Sequence, residues 1–435
     1  MIRVIITLSF FILSITFGFS QKKWSLQECV DYALENNISI KRAALNTNYS
    51  KEDITIAKSR LLPLATANAS QNFNINSKYD RLNPSNRLGV SASIDLYNGG
   101  RNKLLIEQAN KSVLSNTVNL EIIQNNISLQ IANSYLNALF NKENIKIAKE
   151  QIVITNIQLS RMNELIEAGV KPRVNLLDIQ ATLASNNEQL TIAENALDLS
   201  LLNLAQIIQV PTKGFDIKDV VINLDKAILL YSNSKGIYDK AVDNRPEIKK
   251  VKIDIENAEI GIKVSQTSLK PSISMSYGLN TALNYSFNKD DNYPKIVNQF
   301  DDNHNHSIGI SARYTIFDAK SRRASINKAK INKEIIEQNL IDQKLQLRAT
   351  IERAYLDAKN SLKQYESSLS SLTSQQESFN ISQERYKLGA MNSFDFDLVK
   401  SRLFNAKVSV INAKYNFVFK SKVLDFYNDK PIVIE

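Results

Sequence analysis

The sequence predicts a mainly α-helical fold with membrane-spanning β-strands, built from two copies of one helix–hairpin–long-helix repeat. Residues 101–168 and 319–388 each run for about 70 residues without glycine or proline, although the chain contains 11 Gly and 8 Pro. Four shorter segments alternate apolar and polar residues with the period of a β-strand. The same order of features returns about 210–220 residues further along the chain. Together, these observations predict long helices, two β-hairpins and an internal duplication.

Residues 1–20 are predicted to be a secretory signal peptide. Arg3 supplies the positive charge, an apolar core follows, and small residues precede a cleavage point before Gln21. A membrane anchor is the alternative, but the apolar run is shorter than the ~20 residues that span a bilayer. Cys29, the only cysteine, lies beyond the cleavage point and is expected to be a buried thiol.

The composition argues against nucleic-acid binding and against catalysis. The net charge is +10, but the basic residues are scattered among acids and form no block with interleaved aromatics. The sequence has no phosphate-binding glycine loop, no cysteine–histidine metal motif and no nucleophile with a plausible base, so we expect no cofactor and no enzymatic activity. His304 and His306 could bind a metal at a surface, but a variable loop with chance histidines explains them better because nothing fixes their geometry.

The stretch 101–168 would extend for ~100 Å as a single helix. Its apolar residues form two stripes that are rotated from each other, and uncharged polar residues such as Asn133 and Asn137 lie between the stripes. A two-stranded coiled coil needs only one narrow seam, whereas two apolar flanks suit a helix with a neighbour on each side and water beyond. This stretch alone leaves two interpretations open, the wall of a tube and a long coiled-coil stalk.

The mature chain is predicted to repeat itself once. The offset between matching residues rises from 208 before the hairpin to 220 after it, which places an insertion in the second copy, in the loop 285–306. The first repeat, 21–230, is expected to contain strands 64–76 and 87–97, a long helix 99–168, a return helix 173–210 and a mixed segment 211–230. The second repeat, 231–435, is expected to contain strands 272–285 and 306–317, a long helix 319–388 and a return helix 393–425.

The predicted strands have one apolar and one polar face, and their length of ~9–11 residues suits a tilted strand that crosses a bilayer. Asp95 and Arg313 both fall on the polar face. A charge that faces lipid at mid-depth costs ~2–4 kcal/mol, whereas a charge that faces a lumen is tolerated. We therefore predict that Asp95 and Arg313 face the lumen of a barrel. Two amphipathic hairpins on a soluble core are the alternative, although the long polar helices offer no obvious core for them to cover.

Four strands are too few to close a membrane barrel. The smallest outer-membrane barrels have ~8 strands, and an open sheet edge is not viable in hydrocarbon. If these strands span a membrane, several chains must therefore share one barrel, and three chains would supply twelve strands and twelve helical columns. This arithmetic requires an oligomer but does not by itself fix the number at three.

Each long helix is predicted to end at a tip glycine, Gly169 or Gly389. We expect each glycine to form a left-handed C-cap, followed by a tight reversal into the return helix. In the first repeat the return helix would be ~55 Å long and the entering helix ~36 Å, so that placed end to end they roughly equal the long helix. This match favours a wall of uniform height.

Taken in this order, the features resemble the TolC-type outer-membrane efflux protein family, the outer membrane factors, over essentially the whole mature chain. The motifs that support the resemblance, beside the duplication and the glycine tips, are Asn-Arg-Pro-Glu at 244–247 and Leu-Tyr-Asn-Gly-Gly-Arg at 96–101. The resemblance implies a homotrimer with a twelve-stranded β-barrel in the outer membrane, a long α-helical periplasmic tunnel and an equatorial belt that includes 211–230. It also implies a passive exit duct of a tripartite efflux or type I secretion system, opened at its periplasmic tips. The implied partners are outer-membrane lipid, a periplasmic adaptor (membrane fusion) protein and an inner-membrane pump of the RND or ABC type.

The resemblance further implies an acidic ring at the periplasmic aperture. Asp395 matches the first acidic position of that ring in the family. The second position is Leu398 here, and Asp397, one residue earlier, is the remaining candidate. An acid in the first turn of a helix is also favoured by the helix dipole by ~0.3–1 kcal/mol, so Asp395 has a purely structural explanation as well.

A tip latch is implied in the same way. Tyr386 matches a tyrosine that ties the closed tips together in the family, and Asn175 stands at the position of its acidic partner. A Tyr386–Asn175 hydrogen bond would replace that contact. The basic residue of another family latch is replaced by Met391.

The competing functional interpretation is a secreted, adhesin-like coiled-coil stalk with β-hairpins as contact modules. The location of Asp95 and Arg313 on one strand face disfavours this interpretation, because a stalk does not require charges to avoid the other face. The sequence leaves the cargo of the duct open between drugs, metals and proteins.

Overall fold

The structure, a computed structural model, describes residues 22–76, 81–220, 228–284 and 294–430. The predicted signal peptide, 1–20, and residues 285–293 of the predicted insertion loop lie outside the described residues. The helices are α1 (Leu26–Asn36), α2 (Ile38–Ser59), α3 (Arg101–Glu167), α4 (Val174–Ile208), α5 (Ser234–Asn244), α6 (Pro246–Gln266, followed by a 3-10 turn at Thr267–Leu269), α7 (Ile296–Asp302), α8 (Ser321–Lys387) and α9 (Ser393–Tyr427). The strands are β1 (Lys23–Trp24), β2 (Leu64–Asn76), β3 (Arg81–Tyr97), β4 (Asp216–Ile217), β5 (Ser272–Asn284) and β6 (Asn305–Arg313).

The two long helices, α3 and α8, contain 67 residues each. Each begins and ends within about two residues of the sequence prediction, because no glycine or proline interrupts it and a glycine follows it. The return helices α4 and α9 contain 35 residues each. Among the described residues, none of the helices combines the length and the apolar character that a membrane span requires.

The four longer strands form one antiparallel sheet in the order β2-β3-β5-β6. The β2–β3 ladder extends from Leu64↔Ser93 to Asn76↔Arg81, so β3 starts at Arg81 rather than at the predicted 87. The β3–β5 ladder has a register shift between Asp95 and Tyr97. Because side chains alternate along every strand and the ladders are otherwise in regular register, the apolar and polar positions of neighbouring strands fall on common faces of the sheet.

β6 is shorter than the predicted strand 306–317. It ends at Arg313, which pairs with Ser272, the first residue of β5. The residue before Ser272 is Pro271, which has no N–H to continue the ladder. Beyond the strand the backbone turns toward α8, and Ala319 and Lys320 have positive φ angles of 51° and 71°.

Two short elements, β1 and α7, are not predicted by the sequence. β1 pairs in parallel with β4, Lys23 with Asp216 and Trp24 with Ile217. The buried Tyr135 supports this pairing, because its hydroxyl donates toward the carbonyl of Trp24 at 3.2 Å. α7 occupies part of the segment that the sequence assigns to an irregular loop, 285–306.

α1 begins at a capping box. The Ser25 side chain accepts a hydrogen bond from the Glu28 N–H at 3.2 Å, and the Glu28 carboxylate accepts one from the Ser25 N–H at 2.7 Å. The Ser25 N–H and then the Lys218 ammonium lower the pKa of Glu28 from 4.5 to about 2. Cys29 is fully buried, as the sequence predicts, and burial raises the pKa of its thiol to about 12.

The chain divides into two compact units. One contains the described residues up to Arg42, Glu121–Arg245 and the chain from Lys344 onward, and the other contains Ala43–Leu120 and Pro246–Gln343. The first unit includes both tip glycines and a core in which Ile237, Ile351 and Leu424 are buried. The second unit includes the four-stranded sheet. Each unit takes segments from both predicted repeats, 21–230 and 231–435, so the compact units are a separate division of the chain from the predicted duplication.

Candidate functional site

The two tip turns have the same backbone design. Gly169 and Gly389 have φ angles of 72° and 73°, in the left-handed region that glycine adopts without strain. The following N–H groups donate back across the turn, Val170 to the Leu165 carbonyl at 2.8 Å and Ala390 to the Arg385 carbonyl at 2.9 Å. These bonds form a Schellman-type C-cap, which satisfies carbonyls at the end of each long helix.

Asp395 lies in the first turn of α9 and is exposed. The Asn392 side chain accepts a hydrogen bond from the Asp395 N–H at 2.8 Å and donates one to the Asp395 carboxylate, also at 2.8 Å. The first tip has no equivalent, because Arg173, which precedes α4, makes no side-chain cap. The second tip therefore carries a fixed, solvent-exposed carboxylate at the start of its return helix.

Asp397 has a different environment from Asp395. Its carboxylate lies 2.8 Å from the ammonium group of Lys400, a lysine that is only 4% exposed. The same ammonium donates to Gln158 at 2.8 Å and to Thr155 at 3.2 Å, both on α3. Asp397 is thus neutralised within its own chain and contributes to packing between helices.

The buried network around Lys400 includes three helices of one compact unit. Asn186 on α4 donates to the Thr155 hydroxyl at 2.9 Å, and Thr155 in turn accepts from Lys400. Sequence reasoning missed Lys400, although one signal was present. Lys400 lies four residues after Phe396 and three before Leu403, both buried, and this spacing places it on the apolar side of α9.

The contacts of the Tyr386 side chain are made by its aromatic ring. It stacks on Phe396 with ring centres 4.7 Å apart and an interplanar angle of 6°, and Phe396 also stacks on Phe379 at 5.6 Å. Burial, and to a smaller extent the Asp397 carboxylate, raise the pKa of Tyr386. Among the hydrogen bonds of the described residues there is none between Tyr386 and Asn175. The backbone N–H of Asn175 donates to the Pro172 carbonyl at 3.2 Å.

A direct contact joins the two tips of the chain. The Arg161 guanidinium on α3 donates to the Lys387 carbonyl, at the end of α8, at 2.7 Å. Further from the tips, Lys407 on α9 lies 2.6 Å from Glu150 on α3. Together with Lys400, these contacts connect the α8–α9 hairpin to α3 at three successive levels.

In the other compact unit, Asp95 and Arg313 lie on the same face of the sheet. Asp95 pairs with Ser274 and Arg313 pairs with Ser272, and these two serines share one side of β5. The other members of this polar face include Thr66, Asn68, Ser70, Ser91, Ser93, Ser276, Ser307 and Ser311.

The opposite face of the sheet is apolar and exposed in the single chain. Ile308 is 71% exposed and Ile310 is 70% exposed. Aromatic side chains lie near its two ends, Phe73 toward the hairpin loops and Tyr97 toward the helices. The residues between these ends include Ala67, Ala69, Leu88, Val90, Ala92, Ile94, Met275, Tyr277 and Leu279. An apolar band flanked by aromatic residues is typical of the lipid-facing side of a membrane sheet.

The two histidines lie next to each other at the start of β6, with ring centres 5.6 Å apart. His306 is on β6, where its ring lies 2.8 Å from the Tyr277 hydroxyl, and the His304 ring lies 2.6 Å from the Asp301 carbonyl. Within the part of the chain that the structure describes, no three His, Cys, Asp or Glu side chains are grouped closely enough to bind a metal ion.

Comparison with known proteins assigns the family. Residues 29–208 and 237–424 match the family described as "Outer membrane efflux protein". The chain belongs to this efflux protein family. Membership agrees with the predicted resemblance, with an outer-membrane location and with a transport protein rather than an enzyme.

Solved structures show that this efflux protein has the fold of outer-membrane channels. The structure is similar to CusC, with a TM-score of 0.73 at 17% identity over 93% of this chain and 92% of that chain. It is also similar to CmeC of Campylobacter jejuni, with a TM-score of 0.76 at 20% identity over 94% and 87% of the two chains. VceC of Vibrio cholerae gives a TM-score of 0.74 at 14% identity over 94% and 97%.

Curated relatives of this efflux protein match over shorter stretches. The outer membrane protein TolC of Vibrio cholerae is 24% identical over 219 residues, which are 48% of this chain and 49% of that protein. The pyoverdine export outer membrane protein OpmQ of Pseudomonas aeruginosa is 21% identical over 45% of this chain and 41% of that protein. The chain therefore spans about half the length of the curated relatives that it matches.

Proposed function

We propose that this chain is the outer-membrane exit duct of a tripartite efflux or type I secretion system. Three copies form a twelve-stranded β-barrel that continues into an α-helical periplasmic tunnel. The duct is a passive channel, and a periplasmic adaptor protein opens it at the tips when an inner-membrane pump of the RND or ABC type engages. The efflux family and the channel fold support the class of function, and the details of assembly and opening are our proposal.

The observation that best supports the proposal is the sheet. Its apolar face is exposed and has aromatic ends, whereas Asp95 and Arg313 lie on the polar face. Within the described chain β2 pairs only with β3, and β6 only with β5, so both outer edges lack a partner strand. Unpaired edges are not viable in hydrocarbon. We propose that copies of the chain complete each other by pairing β6 of one with β2 of the next.

The tips supply the proposed gate. Asp395 is exposed and would line the periplasmic aperture, where a ring of three carboxylates favours cations. Asp397 is paired with the buried Lys400, and we therefore propose a packing role for it rather than a place in the ring. The predicted Tyr386–Asn175 latch stays a proposal, in which the phenol hydroxyl ties the tips in the closed state.

Planar-bilayer recording of the purified protein tests the proposal. We expect discrete current steps with cation selectivity, which Asp395→Asn lowers because it removes the charge while keeping a side-chain oxygen that can accept the hydrogen bond from the Asn392 amide. The matched control is Asp178→Asn, which neutralises an exposed acid near the first tip and should change selectivity less. Absence of current steps, with the protein found as soluble single chains, would instead fit the secreted stalk.

A further inference from the structure

Helix α7 is the main difference between the two hairpins of the sheet. In the first hairpin only residues 77–80 separate β2 from β3, whereas in the second hairpin α7 lies between β5 and β6. The extra residues of the second hairpin thus include a seven-residue helix, Ile296–Asp302. A long loop can join two strands without regular structure. The presence of this helix, and its position on the sheet, therefore need an explanation.

Side chains of α7 and of the residue after it are bonded to the backbone of β5. Gln299 is 3% exposed; its amide accepts from the Asn284 N–H and donates to the Asn284 carbonyl, both at 2.8 Å. Asn303 donates to the Ala282 carbonyl at 2.7 Å. The β5–β6 ladder stops at Asn280↔Asn305, so these two amides continue the pairing of β5 where β6 is absent. The helix is therefore fixed to the sheet.

In this orientation, the apolar surface of α7 is exposed. Ile296 is 58% exposed, Val297 76% and Phe300 52%. At ~100° per residue these three lie within a ~100° arc, and Asn298 and Asp302 lie on the opposite side of the helix. A loop in water has no reason to present three large apolar side chains together in seven residues.

Phe300 lies above the apolar face of the sheet. With Leu88, Val90 and Leu279 of that face, and with the two histidines, it lines an open cleft of about 310 Å³. The cleft is also lined by the neighbouring Asp301. Through Phe300, the apolar surface of α7 therefore adjoins the face that the proposed function assigns to lipid.

The level of α7 along the strands corresponds to the boundary of a bilayer. A strand of 13 residues, such as β5, rises ~44 Å along its own axis and ~31 Å when tilted by ~45°, close to the thickness of the hydrocarbon core. α7 is bonded to Ala282 and Asn284 at the loop end of β5. Phe73 lies near this level, because it pairs with Pro84, next to the Ser85 that pairs with Asn284.

We infer that α7 is an interfacial anchor whose apolar side chains insert among lipid acyl chains at the outer boundary of the membrane. This inference rests on the proposed function, because it requires the sheet to span the outer membrane. The amides of Gln299 and Asn303 set the orientation, Ile296, Val297 and Phe300 enter the acyl region, and the polar residues of the opposite side remain in water. This division of a helix surface is that of helices that lie in the plane of a membrane interface.

Tryptophan fluorescence tests the inference. In the background Trp24→Phe, which removes the only tryptophan, Phe300→Trp and Val297→Trp place a single reporter on the apolar side of α7. Asn298→Trp places it on the polar side as the matched control. The proteins are reconstituted into phosphatidylcholine vesicles with and without brominated acyl chains. We expect blue-shifted emission and quenching by brominated lipid of about half or more for Phe300→Trp and Val297→Trp, and little quenching for the control.

Emission typical of water at both apolar-side positions, without quenching, would overturn the inference. Using both positions keeps the test decisive if one variant does not fold. Bilayer conductance of the same preparations distinguishes a failure of the α7 anchor from a failure of the proposed duct. Normal current steps with unquenched reporters would reject the anchor and leave the duct intact, whereas background protein that neither conducts nor enters vesicles would reject the duct itself.

Discussion

At the scale of single residues, Lys400 has the most demanding environment at the tips. Only 4% of it is exposed, and an uncompensated charge in such a position costs several kcal/mol. Asp397, Gln158 and Thr155 together compensate this charge. Because these partners belong to both α3 and α9, the Lys400 ammonium is the buried one of the contacts that hold the second tip hairpin against α3.

Lys400→Met is expected to loosen the tips. The variant keeps an unbranched side chain of similar length but removes the cation from the half-buried Asp397 carboxylate and leaves the Gln158 and Thr155 oxygens without their donor. Because Asp397 keeps some contact with water, we expect a loss of stability below the ~3–5 kcal/mol that breaking a fully buried pair costs. We expect faster hydrogen exchange around Gln158 and Asp397 and a higher closed-state conductance. Lys407→Met is the control, because its partner Glu150 is exposed, and pairs with an exposed member contribute ~0–1 kcal/mol. Equal exchange in the two variants would contradict the role of Lys400.

Tyr386→Phe separates the two roles that Tyr386 could have. The variant keeps the ring that stacks on Phe396 and removes only the hydroxyl. If the hydroxyl ties the closed tips to Asn175, the variant should raise closed-state conductance, and Asn175→Ala should raise it by a similar amount without adding to the first effect. Conductance unchanged in both variants would reject the latch and leave Tyr386 as a packing residue.

Glu28 gives the chain a defined pH dependence. Its pKa is lowered from 4.5 to about 2 by the Ser25 N–H and by Lys218. A lowered pKa means that the carboxylate stabilises the folded chain above about pH 4.5 and loses this contribution as the pH falls through about 2. We expect Glu28→Gln to lower the melting temperature at pH 7, with a difference from wild type that narrows toward pH 2. Circular dichroism during heating measures the melting temperatures of the variant and of wild type. A difference between them that stays constant with pH would be inconsistent with this account.

The sequence could predict some of these residues and not others. Gly169, Gly389 and Asp395 are recognisable because their local neighbours in the sequence define a helix end or a helix start. Lys400 depends on Gln158, which lies 242 residues away. Periodicity places Lys400 on the apolar side of α9, but only the folded chain shows which oxygen atoms meet its charge.

At the scale of elements, the two faces of the sheet define its environment. Ile308 and Ser307 are neighbours on β6 and lie on opposite faces at the same depth, since they pair with Tyr277 and Gly278 near the middle of β5. This pair of positions provides an internal comparison between the face that we assign to lipid and the face that we assign to the lumen.

Ile308→Arg should impair assembly in the membrane, whereas Ser307→Arg should be tolerated. An arginine on the lipid side at mid-depth costs ~2–4 kcal/mol, and one in a polar lumen costs far less. The amount of folded oligomer in outer-membrane fractions, measured on unheated gels, checks this expectation. Similar losses for both variants would mean that the faces are not assigned correctly.

Local sequence accounts for the long elements better than for the short ones. The 67-residue helices lack internal breakers, so their limits follow from the glycines that end them. The two-residue β1 depends on pairing with Asp216 and Ile217, far along the chain, and has no period of its own. α7 escapes recognition because seven residues are too few for a clear helical pattern within a polar segment.

At the scale of the whole molecule, the central prediction concerns stoichiometry. Within the described chain, the sheet has four strands and two unpartnered outer edges. If it spans the membrane as proposed, further copies must complete it, and three copies give a barrel of twelve strands. We expect native mass spectrometry of detergent-extracted protein to give three times the mass of the mature chain. Particles of a single copy would contradict both the barrel and the duct.

The resemblance read from the sequence gives the family correctly, and this result has a physical basis. Each motif is short, but the order of proline, strand, long helix and glycine is fixed by one architecture. The division into compact units was less accessible, because it depends on contacts between distant segments. Glu121–Arg245 and the chain from Lys344 belong to one unit, and Ala43–Leu120 and Pro246–Gln343 to the other.

The short β6 has a consequence for how the proposed cylinder would come apart. β2 has 13 residues that can pair and β6 has only 9. Each proposed junction, between β6 of one copy and β2 of the next, would therefore contain fewer paired residues than the hairpin β2–β3 within a copy. Under heat or detergent the wall should unzip along its three junctions first. Separated protomers that still keep both hairpins closed would then be the earliest product of disassembly.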